Sequence, residues 1–143
     1  MIGLDTNVLV RHLAGDDPNQ SPAARALLAG RTADQPAFIS LVTLVEALWT
    51  LSSRRYGYER TQLLDVVGDL AGLGEVRLQE HAAVVAAVAT ARLTGCDLAD
   101  ALVAELGRRA GCAHTATFDR RAAGAIPEMS LRPAAPPQAP DPA

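Results

Sequence analysis

The sequence contains no lysine, and all 13 of its basic residues are arginine. This absence excludes Walker-loop nucleotide-binding proteins, phospho-acceptor receiver domains and haloacid-dehalogenase-like phosphatases, because each of these α/β classes depends on a lysine. The formal net charge of −3 also argues against a broad, non-specific binder of duplex DNA, whose affinity rests on a basic face. A nucleic-acid substrate stays compatible with this sequence if the contact is local and a metal ion offsets the acidic residues.

Long apolar runs, aromatic residues and cysteines are also scarce. No apolar run approaches the roughly 18 residues needed to cross a bilayer. The first residues lack the basic start and small-residue cleavage site of a signal peptide, so we expect a cytoplasmic protein that does not bind membranes. Cys96 and Cys112 have no CxxC spacing and flank a predicted helix, which favours two reduced thiols over a disulfide or a zinc site.

The length and composition indicate one domain. A chain of 143 residues is long enough to bury a proper core, and its hydrophobic content of 49% is mostly Ala, Leu and Val. Such a composition, with only 3% aromatic residues, suits packed helices and short buried strands better than a β-sandwich. We assign residues 1–132 to this domain and predict that the proline-rich residues 133–143 form a disordered tail.

Short apolar segments alternate with amphipathic ones along the domain. Strands are predicted at 1–4, 37–39, 75–78 and 114–117, with 129–131 as a candidate edge strand. A first helix is predicted by the helical spacing of Val8, Leu9, Leu13 and Ala14, and others are predicted at 22–30 with Ser21 as its cap, 59–70 and 97–109. The helix predicted at 41–55 has Ser40 as its cap and a stripe that ends on Ser52, and the helix predicted at 80–93 stops at Gly95. The alternation predicts an α/β fold with a mainly parallel sheet of four to five short strands and helices on both faces.

The first strand ends at Asp5, and Leu9 and Leu13 then recur at helical spacing. Asp5 is therefore expected at the carboxyl end of a strand, beside the N-terminus of a helix. Open α/β sheets bind ligands at this edge, where an acidic side chain can hold a cation. The alternative is that Asp5 or Thr6 only caps the helix.

Glu46 lies in the middle of the third predicted helix, with Val42, Val45 and Trp49 around it. A carboxylate among apolar neighbours is costly unless it is paired or bound to a cation. The alternative is a surface glutamate on an amphipathic helix, which is the commoner case.

Three further acidic residues lie near helix starts or strand ends. Asp97 is well placed to cap the sixth helix, and Asp100 lies where an acidic side chain favours the helix dipole. Asp119 follows a strand, as Asp5 does. The topology can bring Asp5, Glu46, Asp119 and one of these helix acids to one edge, where clustered carboxylates repel unless divalent cations neutralise them.

These residues also resemble a known family. The chain carries, in this order, Asp5-Thr6-Asn7-Val8, Ser40 followed by Glu46, Asp97-Leu98-Ala99-Asp100-Ala101-Leu102, and Thr117-Phe118-Asp119. The ordered set resembles the PIN-domain nucleases and, within them, the VapC-type toxins of bacterial toxin–antitoxin pairs. The resemblance covers about residues 1–132 and implies the three-layer PIN-like fold.

The resemblance implies an acidic site that binds Mg²⁺ or Mn²⁺. The family's core acids fall on Asp5, Glu46, Asp100 and Asp119. The third position could also fall on Asp97, but Asp100 directly precedes Ala in the Asp-Ala-Leu run and is preferred. The residues expected around the metal and the substrate are Thr6, Asn7, Ser40, Thr117, Arg11 and Arg120. From their charge, Arg11, Arg54, Arg55, Arg120 and Arg121 could steer phosphates toward the acids, although Arg54 and Arg55 could equally be solvated helix ends.

The implied activity is metal-dependent hydrolysis of RNA phosphodiester bonds in single-stranded or structured RNA such as tRNA. With no lysine and with the histidines scattered, we expect metal-bound water as the attacking group. The implied partners are a second copy of the chain and a VapB-like antitoxin whose C-terminal segment covers the site. The alternatives are a catalytically silent PIN-like binding module and a metal-dependent DNA nuclease or phosphatase.

Overall fold

All strand pairings in the computed structural model are parallel, and the structure describes residues 1–133. Three strands form one sheet in the order β1 (Ile2–Gly3), β2 (Ala37–Ile39), β3 (Val76–Leu78). The other two, β4 (Thr115–Thr117) and β5 (Met129–Leu131), pair with each other in a second sheet. The predicted α/β class with parallel strands is confirmed, but the strands are divided between two sheets.

Seven helices of the described range connect and cover these strands. They are α1 (Thr6–Ala14), α2 (Gln20–Ala29), α3 (Leu41–Ser52), α4 (Arg60–Gly72), α5 (His81–Thr94), α6 (Leu98–Arg109) and α7 (Arg120–Ala125). The first six were predicted to within a few residues. Helix α7 was missed, although Asp119 followed by Ala122 and Ala123 is a usable signal for a capped helix start.

The core lies where the central strand β2 meets the helices. Ala37 and Ile39 are buried, because this strand has neighbours on both sides. On α5, Ala83, Ala87 and Ala91 are fully buried, and such small side chains let α4 and α6 pack closely against it. Each large aliphatic side chain buried in this core contributes roughly 2 kcal/mol.

Gly95 ends α5 and sets the entry to α6. Its φ of 74° lies in the left-handed region, and its N–H donates to Ala91 O. Glycine adopts this conformation without a steric penalty, so the helix stops here and the chain can turn into Asp97. The predicted stop at Gly95 is confirmed.

Two local predictions were wrong. Ser21 does not cap α2: Asp17 accepts hydrogen bonds from Asn19 N and Gln20 N, and Ser21 Oγ accepts from Asp17 N. The two side chains cap the helix start reciprocally, so α2 begins earlier than predicted. In α3 the buried stripe ends on Leu51, whereas the predicted Ser52 is exposed.

Two other expectations can be compared with the structure, and a third concerns residues that it does not describe. Cys96 is buried and Cys112 exposed, and both are free thiols, as predicted. None of the helices in residues 1–133 is long and apolar enough to cross a membrane. The predicted disordered tail lies, from residue 134 onward, outside the described residues.

Candidate active site

Three of the predicted acidic residues are N-caps of helices. Asp5 Oδ1 accepts from Val8 N at 2.9 Å in α1. Asp97 Oδ1 accepts from Ala99 N at 2.8 Å in α6. Asp119 Oδ1 accepts from Arg121 N at 2.8 Å and Ala122 N at 3.0 Å in α7.

Capping and cation binding are therefore compatible at these positions. In each cap only Oδ1 is used, and within residues 1–133 no hydrogen bond reaches Oδ2 of Asp5, Asp97 or Asp119. The cap fixes the orientation of the carboxylate, and the second oxygen stays available to a cation. Asp5 and Asp119 also occupy the predicted places just beyond β1 and β4.

Glu46 in α3 contacts the start of α1 through Thr6. Thr6 Oγ1 donates to Glu46 Oε2 at 2.6 Å, which joins the first residue of α1 to the middle of α3. Sequence reasoning expected Glu46 among buried apolar side chains, and this was wrong. Glu46 is exposed, and its neighbours Val42 and Trp49 are 69% and 66% exposed, so this face of α3 is open to solvent.

The pKa of Asp100 is raised by its surroundings. Its side chain is half-buried one turn into α6, and burial raises its pKa, with further increases from the charges of Asp97 and Asp119. All three carboxylates line one open cavity of about 610 Å³. Mutual repulsion in such a group favours binding of a cation or a proton.

The two acidic groups differ in their surroundings. One consists of Asp5, Thr6 and Glu46 at the end of the three-stranded sheet, and the other of Asp97, Asp100 and Asp119. Among residues 1–133, no three or more His, Cys, Asp and Glu side chains are arranged as a ready-made metal cage. The oxygen donors still suit Mg²⁺, which keeps several waters and commonly binds to only one or two protein carboxylates.

Two of the expected surrounding residues act on the backbone. Ser40 Oγ accepts from Thr43 N and caps α3, while Thr43 Oγ1 donates to Leu4 O directly before Asp5. Thr117 Oγ1 accepts from Asp119 N at 3.0 Å. Both contacts hold the chain beside an acidic residue. Asn7 is exposed and lines a cavity together with Asp5.

The arginines that were expected near the substrate lie in different surroundings. Arg11 donates to Asp16, Gln20 and Tyr56, and Arg55 also reaches Asp16, so these two side chains hold loops together. Arg120 is exposed beyond β4, near Phe118 and Arg132.

Arg121 and Arg60 line the cavity of Asp97, Asp100 and Asp119. Sequence analysis missed Arg60, because the first residue of an amphipathic helix carries no signal for a neighbour across the fold.

Comparison with known families and proteins gives one match. The PIN domain model matches residues 2–125, from the first residue of β1 to the last residue of α7. The matched range includes all five acidic residues described above. A comparison with curated proteins gives no match.

Proposed function

The chain belongs to the PIN domain family, whose members are generally metal-dependent nucleases, and we propose that it is a divalent-metal-dependent endoribonuclease. The observation that carries the proposal is the open cavity in which Asp97, Asp100 and Asp119 lie together with Arg60 and Arg121. Carboxylates suit a hard cation, and guanidinium groups suit phosphate oxygens. Together they suit the binding and hydrolysis of a phosphodiester.

In this proposal Asp5, Glu46, Asp100 and Asp119 hold Mg²⁺ or Mn²⁺, and Asp97 serves as the cap of α6. When bound, the ion supplies a more acidic water and offsets negative charge at the reacting phosphorus.

The surrounding residues hold the acids in place. Thr6 fixes the carboxylate of Glu46. Thr43, whose N–H is capped by Ser40, donates to Leu4 O beside Asp5, and Thr117 accepts from Asp119 N. The caps hold Oδ1 of Asp5 and Asp119, so these carboxylates need little reorganisation to bind an ion.

The choice of RNA and the role as a toxin follow from the resemblance to VapC-type proteins. An acidic site would attract an Arg or Lys of a VapB-like antitoxin, whose charge has the same sign as the metal ion. Large apolar side chains are exposed on α5 and α6, among them Leu93 at 87% and Val103 at 53%, and they offer surface for a second copy of the chain.

The test is cleavage by the purified protein of single-stranded RNA, single-stranded DNA and a phosphate monoester, each with Mg²⁺ and with a chelator. We expect cleavage of RNA that requires the ion. Asp5→Asn should lower the rate by at least roughly a hundredfold, because a metal ligand contributes several kcal/mol to transition-state stabilisation. The fold should persist, since Asn keeps an oxygen that can accept from Val8 N.

Asp34→Asn is the matched control, because it makes the same chemical change in the exposed loop before β2 and should leave the rate unchanged. The same variants test the toxin role in the host. Growth should stop when the wild-type protein is expressed alone and should continue when the neighbouring antitoxin gene is co-expressed. Expression of Asp5→Asn alone should not stop growth. Cleavage that continues undiminished in Asp5→Asn would contradict the site assignment.

The substrate panel separates the remaining alternatives. Preference for DNA or for the monoester would replace the ribonuclease by one of those activities. Absence of divalent-dependent cleavage from every substrate would favour a silent binding module.

A further inference from the structure

Arg60 lies where two cavities meet. It lines the cavity of about 610 Å³ that contains the three carboxylates, and it also lines a second cavity of about 200 Å³. The second cavity is mainly apolar, with Trp49, Tyr58 and Leu63 among its lining residues. Asp97 borders both cavities as well, so the acidic and the apolar cavity are neighbours.

The guanidinium of Arg60 is held in place by a backbone carbonyl. Its Nη1 donates to Ala91 O at 3.1 Å, a contact that ties the start of α4 to α5. No carboxylate of residues 1–133 forms an ion pair with Arg60, whereas Arg11, Arg55 and Arg92 each pair with an aspartate. One hydrogen bond uses one of five N–H donors, so the remaining donors can bind an anion.

The apolar cavity presents an aromatic surface to solvent. Trp49 is 66% exposed, and Tyr58 is half-buried across the same cavity. Exposure of an indole this large is uncommon in a side chain with only a packing role. Proteins bind single-stranded nucleic acid by stacking bases on aromatic side chains and by contacting phosphates with cationic ones. Here Arg60 is the cationic side chain that lines the cavity of Trp49 and Tyr58.

We propose that Arg60 binds a backbone phosphate beside the acidic cavity and that Trp49 stacks on the unpaired base of the same strand. This inference rests on the proposed ribonuclease function and specifies its substrate as a single-stranded or looped-out RNA segment. A base inside a duplex is already stacked and cannot enter the cavity. Arg60 and Trp49 are thus substrate-binding residues, and the charge of Arg60 selects a phosphate-bearing occupant.

The test measures binding of a fluorescent single-stranded oligoribonucleotide with Ca²⁺ in place of Mg²⁺, over a range of salt concentrations. At about 0.1 M salt, Arg60→Gln should weaken binding roughly tenfold, because a charge-assisted phosphate contact is lost. It should also reduce the slope of log affinity against log salt by about 0.7. Arg60→Lys keeps the charge and should retain the slope.

Arg77→Gln is the matched control for charge. Arg77 lies in the edge strand β3 and lines a separate cavity with Pro36 and Gly74, which contains neither Arg60 nor Trp49 nor any of the site carboxylates. The RNA affinity and the salt slope of Arg77→Gln should stay at wild-type values. Trp49→Ala should weaken binding to single strands roughly tenfold with no change of slope, and binding to duplex RNA should change little. Trp49→Phe should recover much of the affinity.

Melting temperatures identify variants that fail to fold. Arg60→Lys then shows whether a positive charge at this position is enough to retain the salt slope. An unchanged salt slope in folded Arg60→Gln would overturn the phosphate contact. Conversion of a dimer into a monomer by Trp49→Ala, with unchanged RNA affinity, would overturn the stacking role and assign the apolar cavity to an interface between copies. If wild-type protein cleaves RNA and these variants bind normally, only this inference fails; if wild-type protein neither binds nor cleaves RNA, the ribonuclease proposal fails with it.

Discussion

The two acidic groups of this protein use the same local motif but have different electrostatics. Asp5 caps α1, and the next residue, Thr6, donates a hydrogen bond to Glu46. Asp97 caps α6 in the same way, yet it stands beside a half-buried Asp100 whose pKa is raised by burial and by neighbouring carboxylates. Capping a helix thus stabilises an acidic residue locally. Residues from distant segments decide whether the neighbouring carboxylate accepts a hydrogen bond or is repelled by other carboxylates.

This difference suggests separate roles for the two groups in the proposed site. Thr6 and the cap at Asp5 hold one side in a fixed geometry before any ion binds. The Asp100 side has excess negative charge that a cation would neutralise. Variants that remove one feature at a time can show how much fixed geometry and excess charge each contribute to the rate of cleavage.

The largest effect is expected from Asp100→Asn. Cleavage of RNA should fall by at least roughly a hundredfold, because a carboxylate ligand becomes a neutral amide. The melting temperature without metal should stay equal or rise, since the repulsion from Asp97 and Asp119 is relieved. Activity assays and thermal unfolding with and without Mg²⁺ measure the two effects.

Asp97→Ser is the control for Asp100→Asn, because serine keeps an oxygen that caps α6. It should fold normally and keep most of the activity. The opposite pattern, with an inactive Asp97→Ser and an active Asp100→Asn, would move the metal ligand to the helix cap.

A smaller effect is expected from Thr6→Val, which removes the hydroxyl that donates to Glu46 while keeping the branched shape. The carboxylate would lose its fixed orientation, and we expect a roughly tenfold lower rate with a stability change within about 1 kcal/mol. The rate at saturating RNA and saturating Mg²⁺ is the measurement.

Thr50→Val provides the matched control, since Thr50 Oγ1 donates to the backbone O of Glu46 and not to its carboxylate. That variant should keep the wild-type rate. Equal losses in the two threonine variants would indicate a general disturbance of α3 and would remove the positioning role of Thr6.

The smallest effect concerns stability against pH in the absence of metal. The raised pKa of Asp100 means that the folded protein binds a proton more readily than the unfolded chain. The free energy of unfolding should therefore fall as pH rises from the ordinary aspartate range through the raised pKa, and the change should be small because solvent screens a partly exposed side chain. Denaturant unfolding at several pH values would show this slope.

Asp100→Asn should flatten that part of the pH profile, and added Mg²⁺ should flatten it in the wild-type protein. A profile of unchanged shape in the variant would assign the pH dependence to another residue.

The sequence by itself determined the features that depend on neighbours along the chain. Apolar periodicity gave six of the described helices, and short apolar runs gave the five strands. The caps at Ser40 and Asp97 and the stop at Gly95 were predictable, because their hydrogen bonds span four residues or fewer. The ordered acids were enough to identify the PIN family.

Only the tertiary structure decided what surrounds these residues. The contact of Thr6 with Glu46 crosses 40 positions, and that of Arg60 with Ala91 crosses 31. Exposure of Glu46 and Trp49, the half-burial of Asp100 and the division of the strands into two sheets likewise depend on how helices pack against each other. Packing of distant segments sets local dielectric, charge neighbours and access to solvent, and a periodic pattern in the sequence contains none of these distances.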